Sequence, residues 1–95
     1  MPATFPVGRK INWSYRCLPA SARCRIDGQK IKLRIIFSAV LDAVPDVLQI
    51  EEAVRELTAD RTTVEELACK LFDRFQVPLT VKGRTRTHGV ITATI

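Results

Sequence analysis

The side chains that could do chemistry are few, and their types exclude much. The chain has three cysteines, Cys17, Cys24 and Cys69, and one histidine, His88. An odd thiol count without a C-x-x-C pair is a poor disulfide framework, and one histidine cannot complete a structural zinc set. The thiols read as reduced residues of a cytoplasmic protein, with Cys69 a core residue of a helix. His88 reads as a surface histidine in a turn. Lys82 with Arg84-Thr85-Arg86 makes a basic hairpin tip. Such a tip either binds an anion or protects a sheet edge from unwanted pairing. Glu65 and Glu66 follow Thr62 and Thr63. If Thr62 is the helix cap, Glu65 is its capping-box partner. If Thr63 is the cap, Glu66 takes that part and Glu65 is free to face a ligand.

Composition frames these residues. The chain has 95 residues, 15 basic and 10 acidic side chains, and a formal charge of +5. An apolar fraction of 46% is that of a folded domain rather than a disordered chain. A membrane span needs about 20 apolar residues in a row; no run here exceeds three, as in Ile35-Ile36-Phe37 or Ala39-Val40-Leu41. No apolar stretch follows Arg9 and Lys10, so no signal peptide is expected. A core of this size is thin, and oligomerisation would help it. The charge is unevenly spread: residues 1–34 carry a net +7, residues 35–75 a net −5 and residues 76–95 a net +3.

The elements that must position the chemistry follow from periodicity. Residues 1–8, with two prolines and a glycine, are expected as a flexible N-terminal arm before a single domain over 9–95. Ile11, Trp13 and Tyr15 alternate with polar residues and predict a strand over 10–15. Leu18 to Ser21 reads as a turn, and Asp27-Gly28 as a hairpin signal. Ile31, Leu33, Ile35 and Phe37 recur at period two and predict a strand over 31–40. Asp46 is an N-cap, with Val47, Ile50, Val54 and Leu57 on one face of a helix ending near Ala59. Glu51, Glu52 and Arg55 fall on the other face. Val64, Leu67, Ala68, Leu71, Phe72 and Phe75 form the stripe of a second helix that Pro78 stops. Leu79 and Val81, then Val90 to Ile95, read as strands. The expected class is α+β: an antiparallel four-stranded sheet in the order β-β-α-α-β-β, with two helices on one face.

This order, with certain junction residues, resembles the tunnelling-fold proteins, and among them the dihydroneopterin aldolase family. The resemblance covers roughly residues 15–95 and is carried by four pieces. Leu18-Pro19, followed by Gly28-Gln29-Lys30 and an alternating strand, is similar to the family's Leu-Pro loop and Gly-Gln strand entry. Ile50-Glu51-Glu52-Ala53-Val54 is similar to the start of its first helix. Thr63-Val64-Glu65-Glu66-Leu67-Ala68 resembles its second-helix motif, and Leu79-Thr80-Val81-Lys82 resembles its strand ending in lysine. The resemblance implies an oligomeric barrel (a tetramer or octamer) with sites between subunits. It also implies a pterin-type ligand and retro-aldol cleavage or epimerisation of a dihydroneopterin side chain. Glu65 would then anchor the ring's amidine edge by two parallel hydrogen bonds. Glu66, Leu48 and Gln49 would complete the substrate pocket. Lys82 would move the protons, as a partly desolvated lysine can. No cofactor, metal or imine is implied. The zinc-dependent relatives with this fold need a histidine triad, which His88 alone cannot supply.

The chain departs from the family at two places. The loop Ala20-Ser21-Ala22-Arg23 lacks the family's glutamate, and Leu48-Gln49-Ile50 lacks its tyrosine. A second reading is therefore a non-catalytic binding or scaffold protein of the same fold. A third uses the basic strands with Trp13, Tyr15 and Phe37 as a platform for single-stranded nucleic acid, though no RNP-like or helix-turn-helix pattern accompanies them. Basic strands against acidic helices favour a small anionic ligand, for example a phosphorylated pterin bound through Arg84 and Arg86, over a polyanion or a membrane.

Overall fold

A computed structural model describes residues 4–95. It shows an α+β fold in which two helices pack on one face of a five-stranded antiparallel sheet. The strands are β1 (Thr4–Arg16), β2 (Ala20–Arg23), β3 (Lys30–Pro45), β4 (Leu79–Thr85) and β5 (Gly89–Thr94). The helices α1 (Val47–Ala59) and α2 (Val64–Phe75) lie between β3 and β4 in the chain. The sheet order is β1-β3-β4-β5, and β2 also pairs with β3. Among the described residues no helix is long and apolar enough to cross a membrane.

β3 organises the rest. Its alternation turns Ile31, Leu33, Ile35 and Phe37 towards the helices, where all four are buried. Val81 and Leu79 of β4 stand opposite Ile35 and Phe37 and are buried with them. From the helices come Ile50, Ala53 and Val54 of α1, with Val64, Leu67, Ala68, Leu71 and Phe75 of α2. Phe37 and Phe75 meet edge to face, with ring centroids 6.1 Å apart.

The helix ends follow the cap residues. The Asp46 carboxylate accepts from the Leu48 N–H at 2.9 Å, and the Thr63 hydroxyl accepts from the Glu66 N–H at 3.1 Å. α2 stops before Pro78: Gln76 adopts a left-handed conformation and its N–H donates to the Phe72 carbonyl at 2.7 Å.

Four expectations about the fold need correction, the first being that Cys69, expected as a core residue of its helix, is exposed. The sheet has five strands rather than four, because the expected turn over residues 18–21 ends early and Ala20 begins to pair with Leu33. Ala22, opposite Ile31, is buried, so this short strand adds to the core. Residues 4–8, expected as part of an arm, belong to β1: Thr4, Phe5 and Pro6 pair with Pro45, Val44 and Ala43. A shift in register between Pro6 and Ile11 accommodates them. The rest of that expected arm, residues 1–3, lies outside the described residues. β3 correspondingly runs to Pro45 rather than to residue 40.

Gly83 marks a close approach of helix to sheet. A Cβ at this position would lie 2.2 Å from Val64 Cγ2 and 2.8 Å from Ile31 Cγ2. Gly83→Ala should therefore destabilise the fold by about 1–3 kcal/mol in urea denaturation. Adding Val64→Ala should recover part of that loss. A double variant no more stable than Gly83→Ala alone would remove the steric account.

Candidate functional site

The face of the sheet away from the helices is a broad trough. Its lining includes Arg16, Lys30, Lys32, Arg34, Lys82 and Arg84, together with Ser21, Pro19 and Val90, and it encloses about 940 Å³. No carboxylate lines it. The alternation that buries Ile31, Leu33 and Ile35 turns Lys30, Lys32 and Arg34 outward, and the same holds for Lys82 and Arg84 beside buried Val81 and Gly83. Asp42 is the acid on β3 of matching parity, but it lies eight residues beyond Arg34, about 26 Å along an extended strand.

The register sharpens the picture. Lys32 stands opposite Arg84, Arg34 opposite Lys82, and Lys30 opposite Arg23. Like charges directly across a ladder are destabilising. At about 5 Å two unit charges in water repel by roughly 0.8 kcal/mol. Among the described residues none of Lys30, Lys32, Arg34, Lys82 and Arg84 has a carboxylate partner. Three such pairs on one face oppose folding, and an anion bound there would relieve them.

The negative side chains lie mainly across the sheet. Of the ten acids, Asp46, Glu51, Glu52, Glu56, Asp60, Glu65, Glu66 and Asp73 belong to the helices and their caps. Glu66 takes two parallel hydrogen bonds from the Arg25 guanidinium, at 2.8 and 2.9 Å, and an ion pair from Lys70 at 3.0 Å. These cations, Arg25 foremost, hold its carboxyl below the usual range. Glu65 is exposed on the first turn of α2, and Leu48 and Gln49 lie in the first turn of α1.

Within one chain, then, the expected site residues divide. Lys82 and Arg84 face the trough, while Glu65, Glu66, Leu48 and Gln49 sit on the helical layer. Arg86 falls in the β4–β5 turn, outside the trough lining. Trp13, Tyr15 and Phe37 all pack on the helix side, the first two stacked with centroids 6.4 Å apart. The aromatic side chains and the cations are therefore on opposite faces of the sheet.

Two further clusters frame the trough. At one end the β2–β3 and β4–β5 turns are tied together. Asp27 Oδ2 meets His88 Nε2 at 2.7 Å, and the Thr87 hydroxyl donates to Gln29 Oε1 at 2.8 Å. The Gln29 N–H and then His88 hold the Asp27 carboxyl below its ordinary range. At the β1 side, Glu51 of α1 accepts from the Tyr15 hydroxyl and from the Leu18 N–H, the latter at 3.0 Å. Glu51, expected on the outer face of its helix, is half-buried because it holds the Leu-Pro loop in place. Burial first, and then Glu51, pushes the Tyr15 hydroxyl well above its usual range. The neighbouring Cys17 thiol, for the same two reasons, is pushed up to about 12. That thiol is a poor nucleophile. No group of three or more His, Cys, Asp or Glu side chains among the described residues is placed to hold a metal ion.

No protein-family model matches the chain, and neither a curated protein nor a solved structure matches it.

Two outcomes follow from the electrostatics. Arg34→Glu, placed opposite Lys82, should raise stability by about 0.2–1 kcal/mol by replacing a repulsive cross-strand pair with an attractive one. Thermal denaturation that moves down instead would contradict the register argument. The folded-state value for Cys17 lies above that of an unfolded thiol, near 8.5. Its contribution to stability is thus complete below about pH 8.5 and is lost as pH rises towards 12. The loss approaches about 1.4 kcal/mol per pH unit. Denaturation curves between about pH 8.5 and pH 10 should show this slope in the parent chain and a flatter one in Cys17→Ala.

Proposed function

We propose that this protein binds a small phosphorylated ligand of pterin type on the basic face of its sheet, and that it acts on such ligands as a dihydroneopterin aldolase-like protein. The observation that supports the anionic part is the trough itself: five cations of β3 and β4 share one face, three cross-strand pairs are like-charged, and no carboxylate lines it. The pterin ring and the retro-aldol or epimerase chemistry come from the resemblance of residues 15–95. In that chemistry Glu65 anchors the ring and Lys82 transfers protons.

The two residues lie on opposite sides of the sheet in one chain, so a site using both draws on two copies. The free edges of β1 and β5 offer a means of joining them. Residues 4–10 of β1 are exposed throughout, among them Phe5 and Val7. A homo-oligomer that closes its sheets around the basic face would also concentrate the positive field inside and draw anions inward. The stacking platform for nucleic acid is disfavoured: bases would need aromatic side chains beside the cations, and Trp13, Tyr15 and Phe37 lie on the other face.

The test is binding and turnover of dihydroneopterin and its phosphate ester. Glu65→Ala should abolish binding of both. Lys82→Ala should leave binding of the neutral compound intact, stop its conversion and weaken the ester. Assembling the two variants together should restore part of the activity, because one intact site can form from the two chains. Equal affinity for neutral and phosphorylated ligands with no salt dependence would overturn the anionic reading. A Glu65→Ala variant that still binds the ring would remove the anchor.

A further inference from the structure

We infer that the anionic part of the ligand is an oligophosphate of two or more linked phosphates, seated on the grid formed by Lys32, Arg34, Lys82 and Arg84. The inference rests on the proposed use of this face for anions, but not on the pterin ring.

The grid has two rungs. Lys32 faces Arg84 on one, and Arg34 faces Lys82 on the next. Side chains paired across strands stand about 4.5–5.5 Å apart at Cβ. The step from one rung to the next is about 6.6 Å. Lys30 opposite Arg23 continues the row by one more rung, although Arg23 also donates to the Gly28 carbonyl at 3.4 Å. Four cations thus fall within a patch one strand step long, and the Ser21 hydroxyl flanks it opposite Lys32.

Charge balance selects the ligand. A carboxylate carries one charge, and a phosphate monoester carries about −1.5 to −2. Either can neutralise at most one rung, leaving the other pair still repelling. Two or three linked phosphates reach both rungs and bring charge enough for all four cations. The composition of the grid suits them: the two guanidinium forks can grip phosphate oxygens bidentately, and the two ammonium groups act as mobile point charges between them.

The same composition bears on magnesium. Sites for magnesium–phosphate complexes supply one or two carboxylates to the ion. This trough has none. The cations of the grid take the place of the metal, so the form bound is the metal-free oligophosphate.

The experiment is calorimetric titration of the full chain with inorganic orthophosphate, pyrophosphate and tripolyphosphate at one ionic strength. Affinity should rise by at least about tenfold from orthophosphate to tripolyphosphate, the effect of one or more added charge-assisted contacts. Excess magnesium should weaken tripolyphosphate binding. The pair Lys32→Gln and Arg84→Gln should abolish the gain, whereas Arg55→Gln with Lys70→Gln on the helical layer, an equal change in net charge, should leave it. Equal affinity for the three anions would overturn the inference, as would a gain that survives in Lys32→Gln/Arg84→Gln. Tighter binding of a thymidine oligonucleotide than of tripolyphosphate would overturn it in favour of a nucleic-acid backbone. Neutral dihydroneopterin binding without tripolyphosphate binding would leave the ring reading and remove this one. Tripolyphosphate binding without any pterin would do the reverse.

Discussion

The structure depends on the two-residue period of β3. A strand has two faces, and this one divides them cleanly over residues 30–37: isoleucine, leucine and phenylalanine on one, lysine and arginine on the other, with Ile36 the exception. The apolar face needs the helices to cover it. Once they do, the cations are left together on the uncovered side. β4 repeats the division with Leu79, Val81 and Gly83 against Lys82 and Arg84. A register slip of one residue in either strand would drive lysine into the core. The hydrophobic packing of one face is therefore what aligns the cations of the other.

Charge is sorted by the same layering. The sheet separates a cationic trough from a helical layer that holds eight acids. Several of those acids have local work. Asp46 caps α1, Glu66 binds Arg25 and Lys70, Glu56 pairs with Arg74, and Glu51 holds the loop after β1. The cations of the trough have no such occupation. The trough thus gathers cations without acids, whereas the helical layer mixes the two signs.

Much of this was legible in the residues. Asp46 and Pro78 bound the helices, and Thr62-Thr63 marks the start of α2 to within a residue, because capping and proline chemistry are local, and the alternation of Ile31 to Phe37 identifies β3 without any knowledge of its partners. What depends on partners was harder to read. β2 is four residues long, and its small alternating Ala20 and Ala22 look like a loop until Leu33 and Ile31 are placed beside them. Thr4 to Gly8 lacks an alternating pattern because all of it is exposed. At the site, Lys82 and Arg84 stood out as part of a basic tip, but Lys30, Lys32 and Arg34 registered only as a regional charge excess. Their coincidence with β4 is set by strand register, which sequence spacing does not encode. Arg86 looked equivalent to Arg84, yet the turn begins at that position and carries it away from the trough. The contact of Tyr15 with Glu51 joins residues 36 apart in the chain and gave no local signal.

The position of the grid has an energetic consequence. Its cations stand on the two strands that supply the centre of the core, so their mutual repulsion works against the same ladder that Ile35, Phe37, Val81 and Leu79 hold together. A chain this short has little stability to spare. Neutralising the grid removes that opposition, and a ligand that binds only the folded state adds its own stabilisation by mass action. The core opposes that repulsion with Val64 fitted closely against Gly83 and Phe37 completely buried. Charge and packing meet on one pair of strands: the packing on one side holds together a ladder that the like charges on the other side oppose.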